Sequence, residues 1–353
     1  MRPEPLTERT TPGERWEQGS NLHLSLETGS MPQPWGGVPH RFWGSGRDAL
    51  RALVAWGSEQ HGWRRMLVPS YYCQDVLVPL RAHVTLEVYP HSPTAPAREV
   101  VAGASDVVMV ASLFGMPLPR AISAGGAIVE DHTHDPLSPS SIASGGDFAF
   151  ASLRKTLPLP DGGVLWSPRG LDLPPQADLT LDHDRAALDR LAAMTLKRHY
   201  LGGEAVAKDE LRALAMRGED AIGRGEVSGM SSFSRIRLET LPGAVWRECR
   251  AANLLAFRAA FGEPDGVTML DAPFAAMLIF DSQELRDGVR AALIEARVYP
   301  TVYWPLDDPA VDGIPESDLD LSHRILSIHC DYRYTTADMQ RVARELHRAI
   351  AAP

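Results

Sequence analysis

The sequence predicts an α/β protein with one large lobe, a doubly wound parallel sheet, and a smaller α+β lobe at its carboxyl end. Three observations carry that expectation. The chain has 353 residues, more than a single hydrophobic core usually serves. Uninterrupted apolar runs such as Val107-Val108-Met109-Val110-Ala111 suit strands buried on both faces of a parallel sheet. Such runs alternate with helical patterns up to residue 166, the βαβ rhythm of a doubly wound domain, whereas the last third has a mixed order. The expected division is an amino-terminal arm over 1–40, a large domain over 41–240 and a small domain over 241–353.

Composition narrows the class. Hydrophobic residues make up 44% of the chain, ample for a buried core. No apolar run approaches the ~20 residues needed to span a bilayer, so a soluble protein without membrane partners is expected. The opening MRPEPLTERTTPGERWEQGS has charges and prolines but no apolar segment of the secretory kind. Cys73, Cys249 and Cys330 are odd in number and far apart, against a disulfide framework or a zinc site. A cytoplasmic location follows as an expectation, with no metal. The net charge of −10 and the lack of a Lys/Arg cluster argue against nucleic acid as a partner.

Residues 1–40 are rich in Pro, Gly, Thr and Glu without periodicity, and read either as an arm packed on a partner chain or as a segment lacking fixed structure. Gly44-Ser45-Gly46 then leads into Ala49, Leu50, Leu53 and Val54, apolar at helical spacing. A helix that starts behind glycine offers unpaired N–H groups and a positive dipole end to an anion, which makes the Gly46-Arg47 turn a candidate anion cradle. Met66-Leu67-Val68 is a short strand before the aromatic turn Pro69-Ser70-Tyr71-Tyr72, and a helical stretch runs on through Leu80. Val84 to Tyr89 alternates as a strand.

From about 176 to 222 charged and apolar residues follow helical spacing, as in solvated amphipathic helices with no chemistry of their own. After Leu241-Pro242-Gly243 a long helical pattern bridges to the small lobe. There a strand at Ala276–Phe280, a helix from Gln283 to Ala296, an extended segment at Val298–Trp304 and a strand at Ile325–Ile328 precede the terminal helix Thr336–Ala351. Its Thr-Ala-Asp-Met opening reads as a cap.

The chemistry concentrates in EDHTHDPLSPSSIASGGDFAFASLRKTLPLPDGGV, residues 130–164. The strand Ala127-Ile128-Val129 ends in Glu130-Asp131, placing a carboxylate at a strand's carboxyl end, where open α/β sheets keep their ligands. A second strand, Phe148-Ala149-Phe150, runs into Ser152-Leu153-Arg154-Lys155, and the chain turns at Asp161-Gly162-Gly163 before Val164-Leu165-Trp166. Pyridoxal phosphate asks for these groups: a lysine to hold its aldehyde covalently and an anion to keep its pyridine nitrogen protonated. Lys155 and Asp131 are the candidates. Ser152, three residues before the lysine, is placed for the phosphate, and His134, three after the aspartate, for the ring's phenolic oxygen.

This ordered set resembles the fold-type-I pyridoxal-phosphate enzymes, and its phrasing is most similar to the DegT/DnrJ/StrS sugar aminotransferases. Those proteins carry a strand ending in Glu-Asp, a polar residue three later, a Gly-Asp strand, a lysine and a Gly-Gly turn. The resemblance extends over about residues 41–349. It implies the aspartate aminotransferase-like fold and a phosphate cradle at Gly46 and Arg47, with Arg47 replacing the usual threonine. It further implies that Tyr72, or failing that Tyr71, stacks on the pyridine ring, and that Thr133 is a small side chain against the ring face. His134 stands where related proteins often use glutamine, and His329 replaces a proline often seen there. At Gly225-Glu226-Val227-Ser228-Gly229-Met230-Ser231 the family's Asn and Arg, which help hold cofactor phosphate or substrate across the dimer interface, are replaced by Val227 and Gly229. Arg224 or Arg235 is positioned to substitute.

The implied activity is amino transfer from an amino acid donor to a keto group on a sugar or related small-molecule intermediate, in a homodimer. Elimination, decarboxylation and carbon–carbon bond chemistry use the same electron sink and stay open beside it. A cofactor-binding sensor or scaffold is the reading from another class, and the retained lysine weighs against it.

Overall fold

The computed structural model describes residues 15–19, 21–95, 99–119, 125–262 and 264–351. In chain order the elements of the large lobe are β1 (Gln18–Gly19), β2 (His40–Trp43), α1 (Gly46–Gln60), β3 (Arg65–Pro69), α2 (Gln74–Leu77), β4 (Thr85–Tyr89), β5 (Asp106–Ala111), β6 (Ala127–Asp131), α3 (Pro139–Ile142), β7 (Phe148–Ser152) and β8 (Gly163–Trp166). Three helices follow, α4 (Leu181–Leu201), α5 (Lys208–Arg224) and α6 (Ser232–Leu238), and α7 (Gly243–Phe261) leads into the small lobe. That lobe holds β9 (Val267–Met269), β10 (Ala276–Phe280), α8 (Gln283–Glu295), β11 (Val298–Tyr299), α9 (Glu316–Arg324), β12 (Ile325–Ile328) and α10 (Thr336–Ala351).

The large sheet has seven strands in the order β2-β8-β7-β6-β5-β3-β4. Its five strands from β7 to β4 run parallel, while β8 is antiparallel to both β7 and β2. Side chains alternate across it with the period of two that a pleated strand imposes. On β7, Phe148 and Phe150 join Leu50, Leu53 and Val54 of α1 in one core, while Ala149 and Ala151 face Trp35, Leu159 and Trp166 in another. All six residues of β5 are buried, as its uninterrupted apolar run requires. A smaller antiparallel sheet, β12-β10-β9, is the frame of the second lobe. One face of β10, through Leu278 and Phe280, packs on Phe257 and Phe261 of α7 and Met339 and Val342 of α10. The other, through Met277 and Ile279, meets Tyr71 and Phe114 of the large lobe.

Three expectations are corrected. Strand and helix do not keep alternating: among the described residues the β4–β5 connection has no helix, and the β5–β6 connection has only the three-residue turn Leu113–Gly115. These segments are dense in Pro, Gly and Ser, which favour turns and loops over helix. The amino-terminal arm is not without core. Residues 1–14 and 20 lie outside the described residues, but Met31 and Trp35 are buried against the large sheet, and β1 pairs in parallel with β11 of its own chain. The α10 cap is one residue earlier than expected, with Thr335 and Asp338 exchanging side chain–backbone hydrogen bonds in both directions.

Candidate active site

The expected residues fall along the carboxyl ends of β3, β6 and β7 and the amino end of α1. Asp131 closes β6 and pairs in register with Phe150 on β7, two residues short of Ser152. The Asp131 carboxylate is buried, accepts from the Thr133 N–H at 2.8 Å and from the Tyr72 hydroxyl at 2.5 Å, and has no cationic partner among the described residues. Burial raises its pKa above the ordinary carboxylate value, with the Thr133 and Tyr72 hydrogen bonds pulling the other way. Thr133 also staples the two strand ends together, its hydroxyl accepting from the Ser152 N–H at 3.1 Å.

Lys155 ends the short turn that follows β7. Its side chain reaches solvent and has no hydrogen-bond or ion-pair partner among the described residues. Surrounding protein still strips water from the ammonium, and this desolvation, with the neighbouring Arg154 charge, lowers its pKa while Glu219 pulls it up. A lysine that is reachable, unpaired and shifted toward its neutral form is suited to act as a nucleophilic amine.

The amino end of α1 lies on the β7 end. Ser45 caps the helix through the Asp48 N–H, and its backbone carbonyl takes the Ala49 N–H. The Gly46 and Arg47 N–H groups are left without a protein acceptor among the described residues, as the first turn of a helix dictates. A Cβ on Gly46 would stand 2.9 Å from Ser152 Cβ and 3.0 Å from its N, so only glycine lets the helix approach this closely. Asp48, held by Ser45, is itself desolvated and pushed up to about 6.

His134 is buried against Phe274, with ring centroids 4.5 Å apart, and stacks on Trp304 at 5.6 Å. The Phe114 N–H donates to its Nδ1 at 3.1 Å, which leaves the ring proton on Nε2. Burial, then the Lys155 and Arg250 charges, push the imidazole pKa down to about 3, so the ring is a neutral hydrogen-bond donor. Tyr72, the residue expected to stack on the pyridine ring, is buried, its hydroxyl donating to Asp131 and its ring tilted at 47° against Trp304. Tyr71 is a strut between lobes, donating to the Tyr303 carbonyl. His132 packs in the core on Trp166 and pairs with Glu130.

Two features had no counterpart in the sequence reading. Asp161, fully buried in the turn before β8, accepts from His183 Nε2 at 3.1 Å, the Ser231 N–H at 2.8 Å, the Ser231 hydroxyl at 2.6 Å and the Ser234 hydroxyl. The amphipathic pair α4–α5 does bring chemistry to the site: Glu219 of α5 binds Arg154 through two bonds of 2.5 and 2.6 Å and Arg190 of α4 at 2.5 Å. Of the two cations expected to stand in near Val227 and Gly229, Arg235 lies over the Phe42 ring at the sheet edge, and Arg224 is exposed at the end of α5.

No protein-family model matches the chain, and no curated protein matches it in sequence. Solved structures do match. PseC of Helicobacter pylori, an aminotransferase involved in pseudoaminic acid biosynthesis, is similar with a TM-score of 0.59 at 10% identity, over 95% of this chain and 99% of that one. The putative sugar aminotransferase Spr1654 of Streptococcus pneumoniae, in its PMP form, gives 0.56 at 12% identity over 92% and 94%. The sugar aminotransferase CalS13 of Micromonospora echinospora gives 0.56 at 13% over 88% and 87%. The chain has the fold of these proteins, the fold-type-I architecture of a large α/β domain with a smaller α+β domain.

Proposed function

We propose that this chain is a pyridoxal-phosphate-dependent aminotransferase that passes an amino group from an amino acid donor to a keto group on a sugar or related biosynthetic intermediate. The observation that carries the reading is a complementary pair of unmet needs at adjoining strand ends: Asp131, a buried carboxylate without a cation, and Lys155, a reachable amine without an anion. The cofactor would answer both, and its phosphate would take the unpaired N–H groups of Gly46 and Arg47 beside Ser152, a close approach that glycine at 46 permits. When bound, pyridoxal phosphate supplies an aldehyde for amine exchange and a ring that accepts electrons.

The protein's own residues have separate tasks in this reading. Asp131 holds a proton on the ring nitrogen, and its partners Tyr72 and Thr133 fix the carboxylate's orientation. Lys155 would hold the aldehyde, and its amine, for which a lowered pKa is an advantage, would be the group that moves a proton at the substrate carbon. His134 would offer its Nε2–H to the phenolic oxygen. Ser152 and the first turn of α1 bind the phosphate. The structural neighbours that are sugar aminotransferases support the substrate class. We further propose a homodimer with the site near the interface, located in the cytoplasm, where the three cysteines stay free thiols. Among the described residues no helix is long and apolar enough to cross a membrane.

The test is to add candidate amino acid donors to the purified, cofactor-loaded protein and follow the absorption. Conversion of the bound aldehyde to the corresponding amine supports transamination. Reaction of the donor without that conversion excludes it in favour of another pyridoxal-phosphate chemistry. Sedimentation at micromolar concentration checks the dimer.

A further inference from the structure

Three guanidinium groups share one carboxylate beside Lys155. Glu219 is bound closely by Arg154 and Arg190, while Arg47 Nη2 stands 3.8 Å from it. The Arg154 side chain is 6% exposed and those of Arg47 and Arg190 19%, while Glu219 between them is 38% exposed. Two other carboxylates act on these arginines at longer range, Asp161 on Arg190 and Asp48 on Arg47, while their hydrogen bonds go to His183, Ser231 and Ser234 and to the Ser45 cap. Arg47, Arg154, Arg190 and Lys155 thus gather around one shared carboxylate, with Asp161 and Asp48 adding negative charge from the flanks. The Arg154 Nε–H is also buried without a partner.

The three arginines are not equivalent. Arg154 is held by two bonds to Glu219, and Arg190 by Glu219 and the Pro160 carbonyl at 2.7 Å. Among the described residues Arg47 has only the long contact. It is the second residue of α1, next to the unpaired N–H groups, and its guanidinium lies against Gly223, whose Cβ would be 3.1 Å from both Nη atoms. It is the cation of the three that is free to turn onto a ligand. Gly229, where the resemblance implies an arginine, has no room for a side chain, because a Cβ would come 2.6 Å from the Ala177 carbonyl oxygen.

We propose that Arg47 is the guanidinium that binds the cofactor phosphate, in place of the side chains missing at Val227 and Gly229, with Glu219 as the positioning residue that keeps the cluster together. A phosphate monoester carries close to two negative charges at neutral pH, which complements a guanidinium held by only one long contact. Arginine suits the task because its planar fork meets phosphate oxygens two at a time. The inference rests on the pyridoxal-phosphate reading above.

The test compares wild type, Arg47→Met and Arg47→Lys by titrating cofactor-free protein with pyridoxal phosphate and with pyridoxal, which lacks the phosphate, reading dissociation constants by absorption and fluorescence. Circular dichroism checks that each variant is folded, and Arg47→Lys keeps the comparison available if the methionine variant is not. Arg47→Met is expected to weaken pyridoxal phosphate by about 10- to 100-fold and leave pyridoxal within about twofold, with Arg47→Lys intermediate. Unchanged pyridoxal phosphate affinity in both variants, or equal losses for the two ligands, overturns the proposal while leaving the cofactor reading intact. Wild-type protein that binds neither ligand overturns both.

Discussion

Replacing Asp161 tests how the site is held. The carboxylate is fully buried and accepts four hydrogen bonds, which tie the turn before β8 to α4 through His183 and to the start of α6 through Ser231 and Ser234. Burial works to raise its pKa, but the bonds from His183, Ser231 and Ser234 outweigh it and the pKa is lowered. In Asp161→Ala four donors lose their acceptor in a place water does not reach. Breaking a buried, hydrogen-bonded charge arrangement of this kind costs about 3–5 kcal/mol. Asp161→Asn keeps an oxygen for the two hydroxyls but turns an NH2 toward donors, and should cost about 2 kcal/mol. Because the folded pKa lies below the unfolded value of about 3.9, this stabilisation is present above that pH and fades as pH falls through the folded pKa. The deficit of both variants against wild type should thus be full at pH 7 and shrink below about pH 4. The turn is also bonded to the candidate site: the Gly162 N–H donates to the Gly44 carbonyl at 2.7 Å, the Leu153 N–H donates to the Gly162 carbonyl at 3.0 Å, and Gly163 packs on Ser45. Cofactor affinity should fall with stability. Urea unfolding followed by circular dichroism at pH 7 and at lower pH gives the numbers. A loss below about 1 kcal/mol in Asp161→Ala, or a deficit independent of pH, would refute the reasoning.

Asp131→Asn should retain cofactor but lower turnover by about 100-fold or more, since an amide does not hold the ring nitrogen protonated; unchanged turnover would make Asp131 a structural strand end. Gly46→Ala forces a Cβ to within 2.9 Å of Ser152 Cβ, and the backbone shift should cost about 1–3 kcal/mol and weaken pyridoxal phosphate more than pyridoxal, as read by parallel titrations. Glu219→Gln removes a charge that raises the Lys155 pKa while Arg154 continues to depress it. The pH midpoint for labelling Lys155 with an amine-reactive reagent should move down, and a midpoint that stays or rises contradicts the assigned electrostatics.

The parts of the fold written in local pattern were legible. β5, β6, β7, β8 and β10 stand where their apolar runs put them, and α1 and α7 where glycine, proline and apolar spacing start them. Asp131, Thr133, Ser152 and Lys155 reach adjoining strand ends because each lies at or just past the end of a strand whose register the sheet fixes. The failures were of longer range. That Tyr72 spends its hydroxyl on Asp131 depends on how the turn after β3 leans over β6, 59 residues away in sequence. Glu219 and Arg190 looked like solvated helix charges because the spacing within a helix says which residues share a face, and not what that face meets. Asp161 in an Asp-Gly-Gly turn looked like ordinary turn chemistry; its four donors come from elements that follow it. Trp35 read as part of an arm because a lone tryptophan among prolines and glycines has no periodicity to mark it as core.

The central claim is that Lys155 is the residue that holds the cofactor, and covalent trapping tests it most directly. Protein loaded with pyridoxal phosphate is reduced with borohydride, which locks the cofactor onto the lysine that carries it, then digested and mapped by mass spectrometry. The account predicts the label on Lys155, and its loss from that peptide in a folded Lys155→Ala variant. Label on another lysine, or a wild-type protein that binds pyridoxal phosphate and takes no label, would contradict it.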